Sequence, residues 1–107
     1  MSGSFGDMGN LLKQAQLMQK EMDRVREELR TQTVTGTSPD GLATAEVAGD
    51  RQVRAVSIDP ALASSADAER IEGAVLAAIR AATEKADELR EKSLARVTGG
   101  MNLPGLF

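Results

Sequence analysis

Apolar side chains at Met8, Leu11, Ala15, Met18, Met22, Val25 and Leu29 recur in alternating steps of three and four. That rhythm is a heptad seam of the coiled-coil type, one apolar stripe along one face of a helix. Asp7 stands where a helix N-cap is expected, and no Gly or Pro interrupts residues 11–30. The pattern predicts a helix over residues 7–30, a rod of about 36 Å. A rod of that length overhangs the sheet of a small domain. Its seam therefore needs a partner, either the chain's other helix or the same helix of a second copy.

The period then changes. Thr31 to Thr35 is rich in β-branched residues and ends at Gly36, and Gly36-Thr-Ser-Pro-Asp-Gly41 reads as a loop. From Leu42 to Ala48 the residues alternate, with Ala43, Ala45 and Val47 on one face and Thr44 and Glu46 on the other. Gly49-Asp50 is a tight turn. Residues 52–59 alternate again, with Arg54, Val56 and Ile58 opposed to Val53 and Ala55. Short connections between successive strands predict an antiparallel three-stranded meander across residues 31–59. Such a sheet is small and leaves two edges open.

Asp59-Pro60 is a capping residue followed by proline at the first helical position, and it opens a short turn. Ser64-Ser65-Ala66-Asp67 resembles a capping box. A second long helix is expected over residues 65–97, with Ile71, Val75, Ala78, Ile79, Ala82, Ala86, Leu89 and Val97 as its stripe. Gly99-Gly100 is expected to stop it. Residues 98–107 then form a flexible apolar tail, disordered or docked on a partner. The expected fold class is α+β, in the order helix, three-stranded antiparallel sheet, helix, in a single domain spanning residues 1–107.

Composition sharpens this picture. The chain of 107 residues has no Trp, no Tyr, no Cys and no His, and only two Phe, at positions 5 and 107. The core must come from Ala, Val, Leu, Ile and Met, which bury less area than aromatic rings do. Association into an oligomer would supply the missing burial. Without His or Cys, the usual bases, nucleophiles and soft metal ligands are absent. Gly36–Gly41 lacks the Lys and Ser/Thr of a phosphate-cradling loop. The carboxylates sit in turns or among cations on helix faces, where solvation is their ordinary role. No catalytic, cofactor or metal site is expected, and the chain does not read as an enzyme. No signal peptide or membrane-length apolar run is visible, so a cytoplasmic protein is expected.

Net charge is −3, but it is unevenly spread. Residues 1–39 carry five basic and five acidic side chains, residues 40–79 three and seven, and residues 80–107 five and four. The negative excess lies in the middle. The long helices are near neutral, and the end of the second carries Arg90, Lys92 and Arg96 against Glu91. This arrangement permits contact with a polyanion without requiring it.

The order of parts carries a further reading. The stretch Asn10-Leu-Leu-Lys-Gln-Ala-Gln-Leu-Met-Gln-Lys-Glu-Met22 resembles the opening of the YbaB/EbfC family of bacterial nucleoid-associated proteins. So do Val34-Thr-Gly36, Gly41-Leu42, Val56-Ser-Ile-Asp-Pro60 and Gly99-Gly-Met-Asn-Leu-Pro104. The resemblance implies a tight homodimer with long helices projecting like tweezers, duplex DNA as ligand, and a place in the nucleoid. It also implies an influence on chromosome organisation and gene expression, and a possible link to replication or repair proteins. Departures are Ala43 and Ala45, where relatives carry larger strand residues, and the acidic balance. Weak sequence preference is expected, with Lys13, Lys20, Arg24, Arg90, Lys92 and Arg96 as candidate phosphate contacts. The competing expectation is an adaptor whose seam and apolar tail dock on a protein, for which Met8, Met18 and Met22 are suited.

Overall fold

In the computed structural model, which describes the backbone of residues 2–101 and the side chains of residues 8–99, the seam forms one helix, α1 (Ser2–Thr31). It begins ahead of Asp7, which therefore lies inside the helix and does not cap it. Glycine weakens a helix by about 1 kcal/mol per residue but does not block its hydrogen-bond ladder as proline does. The glycines among the first residues thus leave α1 intact.

Strands β1 (Thr33–Thr37), β2 (Ala43–Ala48) and β3 (Val53–Ile58) form an antiparallel sheet in the order β1-β2-β3. Gly36 does not end the first strand. It pairs with Ala45 inside the sheet, and an added Cβ there would sit 2.2 Å from the Ala82 backbone nitrogen. Glycine is needed at this point because strand and helix backbones touch. The loop after β1 is held by Ser38, whose hydroxyl donates to Asp40 (2.5 Å) and accepts from the Ala43 N–H (3.0 Å). The Ser38 hydroxyl, then the Leu42 N–H, hold the Asp40 carboxyl below the usual aspartate range.

The β2–β3 turn is closed by Arg51 N–H donating to Ala48 O at 2.8 Å, and Asp50 accepts from the Gln52 N–H at 3.1 Å. Arg51 has φ 74°, a left-handed conformation that glycine or asparagine would adopt more easily. The register shifts between Glu46 and Val47, which brings Val53 opposite buried Val47. Strict alternation puts Val53 on the other face; the bulge adds one residue and turns it to the face that carries Val47.

Helix α2 (Pro60–Ala63) is capped as expected, with Asp59 accepting from the Ala61 N–H at 2.8 Å. The long helix, α3 (Ala68–Met101), starts later than residue 65. Ser64 and Ser65 close α2, Ala66 turns left-handed at φ 57°, and Asp67 is the cap, accepting from the Arg70 N–H at 3.2 Å. A box that begins at Ser64 would need Ala66 in the helical basin. At the other end α3 continues through Gly99 and Gly100 to Met101. Glycine permits a stop without imposing one, and here the helical ladder runs through both. The expected tail beyond Met101 lies outside the described residues.

Two clusters hold these parts together. Ala74, Ala78, Ala82 and Ala86 of α3 pack on Ala43, Ala45 and Val47, with Leu62 inserted beside them. Small side chains bring helix and sheet close and keep the core thin, as the composition implies. The second cluster joins Val25 and Leu29 of α1 to Val97 of α3, flanked by Met18, Met22, Leu89 and Leu94. The later half of the seam thus finds its partner in α3. Among the described residues the earlier half finds none, and Met8 and Leu11 stay more than 60% exposed.

The helices run antiparallel. Gly36 lies on Ala78 and Ala82, the Lys85 ammonium donates to Thr35 O, and Leu29 and Arg30 share a cleft with Arg90. The paired helices leave the sheet as one arm. The chain spans 77 Å along its longest axis, with a radius of gyration of 21.0 Å. A compact chain of this length would have a radius near 13 Å.

Candidate nucleic-acid interface

The arm presents two flanks, one on either side of the α1–α3 seam. At about 100° per residue, Glu21, Arg24 and Glu28 fall on one side of Val25 and Leu29, and Arg26 and Arg30 on the other. On α3, Arg96 shares the first side and Arg90 the second. The clefts agree with this geometry. One, of about 210 Å³, is lined by Glu21, Arg24, Glu28 and Arg96. The other, of about 300 Å³, is lined by Arg26, Arg30, Asp50 and Arg90.

The six candidate cations therefore do not form one surface. Lys13 and Lys20 are exposed on α1, outside the seam. Lys92 lies one helical turn from Arg96 and is also exposed. Arg24 differs from the rest. Its guanidinium binds Glu21 at 2.7 and 2.9 Å and also reaches Glu28. Those two carboxylates push its pKa above the usual arginine value, and the Arg24 hydrogen bonds hold Glu21 below its own. Two carboxylates already engage this cation, so it is less available to another anion than sequence position implies.

The second flank holds cations that sequence reasoning passed over. Arg26 and Arg30 lie on α1, Arg51 at the β2–β3 turn and Arg54 on β3, and the fold brings them toward Arg90. Their partners are single and looser: Arg26–Asp23 at 3.6 Å, Arg30–Glu27 at 3.1 Å, Arg51–Asp87 at 3.2 Å and Arg90–Asp87 at 3.9 Å. Arg54 donates to the Arg30 carbonyl at 3.0 Å and satisfies one of the unpaired carbonyls at the end of α1. The Asp87 oxygen facing Arg51 is buried and has no well-directed hydrogen bond. The legible signal was Arg26/Arg30 at i,i+4 and Arg51/Arg54 around one turn. What sequence could not supply is the docking of that turn on the end of α1, where Gly49 packs against Leu29.

A third feature is apolar. Ile58, Val56 and Val53 stand opposite the buried Ala43, Ala45 and Val47 on the same face of the sheet. Yet they are 39%, 42% and 48% exposed, because α3 covers β1 and β2 and stops short of β3. Among the described residues no cluster of carboxylates forms a metal site, and no helix is long and apolar enough to cross a membrane.

A small α+β head carrying a long two-helix arm with exposed cations defines a scaffold for contacting an extended ligand rather than enclosing a small one. The comparisons with known proteins give that class a family. The model of the YbaB/EbfC DNA-binding family matches residues 5–101, and the chain belongs to that family. It is 40% identical over 105 residues to the nucleoid-associated protein TTE0040 of Caldanaerobacter subterraneus, covering 98% of this chain and 94% of that one. It is 38% identical over 106 residues to a nucleoid-associated protein of Acetivibrio thermocellus, with the same coverage of 98% and 94%. The fold matches the crystal structure of the uncharacterized protein HP0035 from Helicobacter pylori with a TM-score of 0.70, at 22% identity, over 89% of this chain and 97% of that one. The family is defined by DNA binding and not by a reaction.

Proposed function

We propose that this protein is a nucleoid-associated homodimer that binds duplex DNA with little sequence preference through cations on its arms. Its place would be the cytoplasmic nucleoid, where it would influence chromosome organisation and gene expression. The observation that carries this reading is the arm itself, an extended two-helix projection with exposed cations in a chain of a DNA-binding family. Lys13, Lys20, Lys92, Arg96 and Arg90 supply phosphate contacts, and Arg24 supplies a weaker one. Such contacts fix position on the duplex without reading bases. Dimerisation is supported by the uncovered apolar face of β3, which continues the core surface that α3 buries over the neighbouring strands.

The test is a gel-shift titration on several unrelated duplexes across a salt series. With about six phosphates neutralised, affinity should fall about 10³-fold between 50 and 200 mM salt. Reversing charge at Arg90, Lys92 and Arg96 together should weaken binding further while the dimer persists. Binding that ignores salt, or an absence of any shift, would refute the reading.

A further inference from the structure

Arg51 occupies a backbone position that disfavours it. The residue closing a hairpin turn at φ 74° is ordinarily glycine or asparagine, because a side chain there crowds the backbone. An outlier of this kind is a reason to look for a function. Arg51 and three other exposed arginines come together from three separate elements: Arg26 and Arg30 from α1, Arg51 from the turn, Arg90 from α3. Arg54 braces the group by bonding the Arg30 carbonyl. A cleft of about 300 Å³ lies between α1, the turn and α3 at the foot of the arm.

We propose that this cluster is a seat for backbone phosphate of duplex DNA, placed where arm meets sheet. The inference rests on the DNA-binding reading above and adds a site to it. The acidic neighbours Asp23, Glu27 and Asp87 do not close the seat, and the Asp50 carboxylate, which lines the cleft, is engaged by the Gln52 N–H. Asp23 and Glu27 hold their arginines through single contacts at 3.6 and 3.1 Å. Exposed pairs of that kind exchange readily for another anion. Arg51 and Arg90 share one Asp87 oxygen, so two cations face a single carboxylate. Arginine suits the task because its planar fork matches a phosphate with paired hydrogen bonds. A seat at the foot of the arm makes the duplex contact the head as well as the helices, so that the arm lies along the backbone instead of touching it only near its end.

The experiment pairs affinity with stability. Arg51→Gly relieves the left-handed strain and gives up the ion pair to Asp87, so its Tm should stay within about 4 °C of wild type. Its affinity for an unrelated duplex should nevertheless fall at least threefold, and the slope of log affinity on log salt should shrink by about one. Arg26→Gln with Arg30→Gln, on a regular helix that tolerates both, should lose affinity likewise. Arg51→Lys keeps the charge and should retain most of the binding. Arg80→Gln, an equal charge change elsewhere on α3, should leave affinity within twofold. A merely structural Arg51 would lower stability and affinity together, and that result overturns the proposal. So does undiminished binding by Arg51→Gly or by the Arg26/Arg30 pair variant while wild type binds steeply with salt, an outcome that leaves the DNA reading standing. If wild type binds no duplex, both fall.

Discussion

Replacing Gly36 by alanine tests whether α3 is seated on the sheet by backbone contact. An ideal Cβ at Gly36 would lie 2.2 Å from Ala82 N, 2.5 Å from Ala78 O and 2.7 Å from Ala82 Cα. Carbon contacts are comfortable at about 3.5–4.0 Å, so the shortfall exceeds about 1 Å. Every crowded atom belongs to the α3 backbone, and no rotamer can relieve it. Strand and helix must part. A gap of about 1 Å forfeits up to half of each contact along the interface, here the one formed by Ala78, Ala82, Ala45 and their neighbours. Overpacking typically costs 1–3 kcal/mol, and backbone on both sides puts this case at about 3 kcal/mol. For a domain of this size that is a Tm fall of about 12 °C or more. Two other glycines serve as controls. Gly73→Ala meets nothing within 4 Å on a helix and should stabilise by about 1 kcal/mol. Gly41→Ala also meets nothing but has φ 75°, and should destabilise by about 1 kcal/mol. Urea denaturation followed by far-ultraviolet circular dichroism, at one fixed protein concentration because self-association would add to stability, ranks the three. A Gly36→Ala protein as stable as Gly41→Ala would refute the backbone contact.

Other expectations follow from the same geometry. Val56→Lys with Ile58→Lys should give a monomer mass by light scattering while the helical signal persists, if β3 pairs the two copies; a surviving dimer would move the interface elsewhere. Arg24→Gln should cost less DNA affinity than Arg96→Gln in the same gel shift, because Glu21 and Glu28 already hold the Arg24 guanidinium. The Asp40 carboxyl titrates below the usual aspartate range in the folded chain, so its contribution to stability is complete above that range and vanishes as pH falls through its lowered value. Ser38→Ala should return the Asp40 midpoint, read by NMR, toward the ordinary one, and should cost about 1–3 kcal/mol by leaving the buried Ala43 N–H without its acceptor.

What the sequence made legible is what repeats. The seam from Met8 to Leu29, the alternation at Ala43, Ala45 and Val47, and the cap at Asp59 each depend on neighbours a few residues away, and the fold keeps them. What escaped depends on residues far apart. Gly36 looks like a loop residue until α3 lies across it. Gly99 and Gly100 look like a stop, although the helix runs through both to Met101. Val53 changes face because one extra residue enters the strand near it. The same distinction governs the interface. Charges counted along each helix come out balanced, and from that count Arg24 and Arg26 are equivalent. In space they are separated by the seam, one held by two carboxylates of its own helix and the other open to a cleft whose remaining walls come from a turn and from α3. The net charge of −3 therefore says little about phosphate binding here. What matters is which carboxylates are close enough to hold an arginine, and on the flank at the foot of the arm their hold is looser than the one Glu21 and Glu28 have on Arg24.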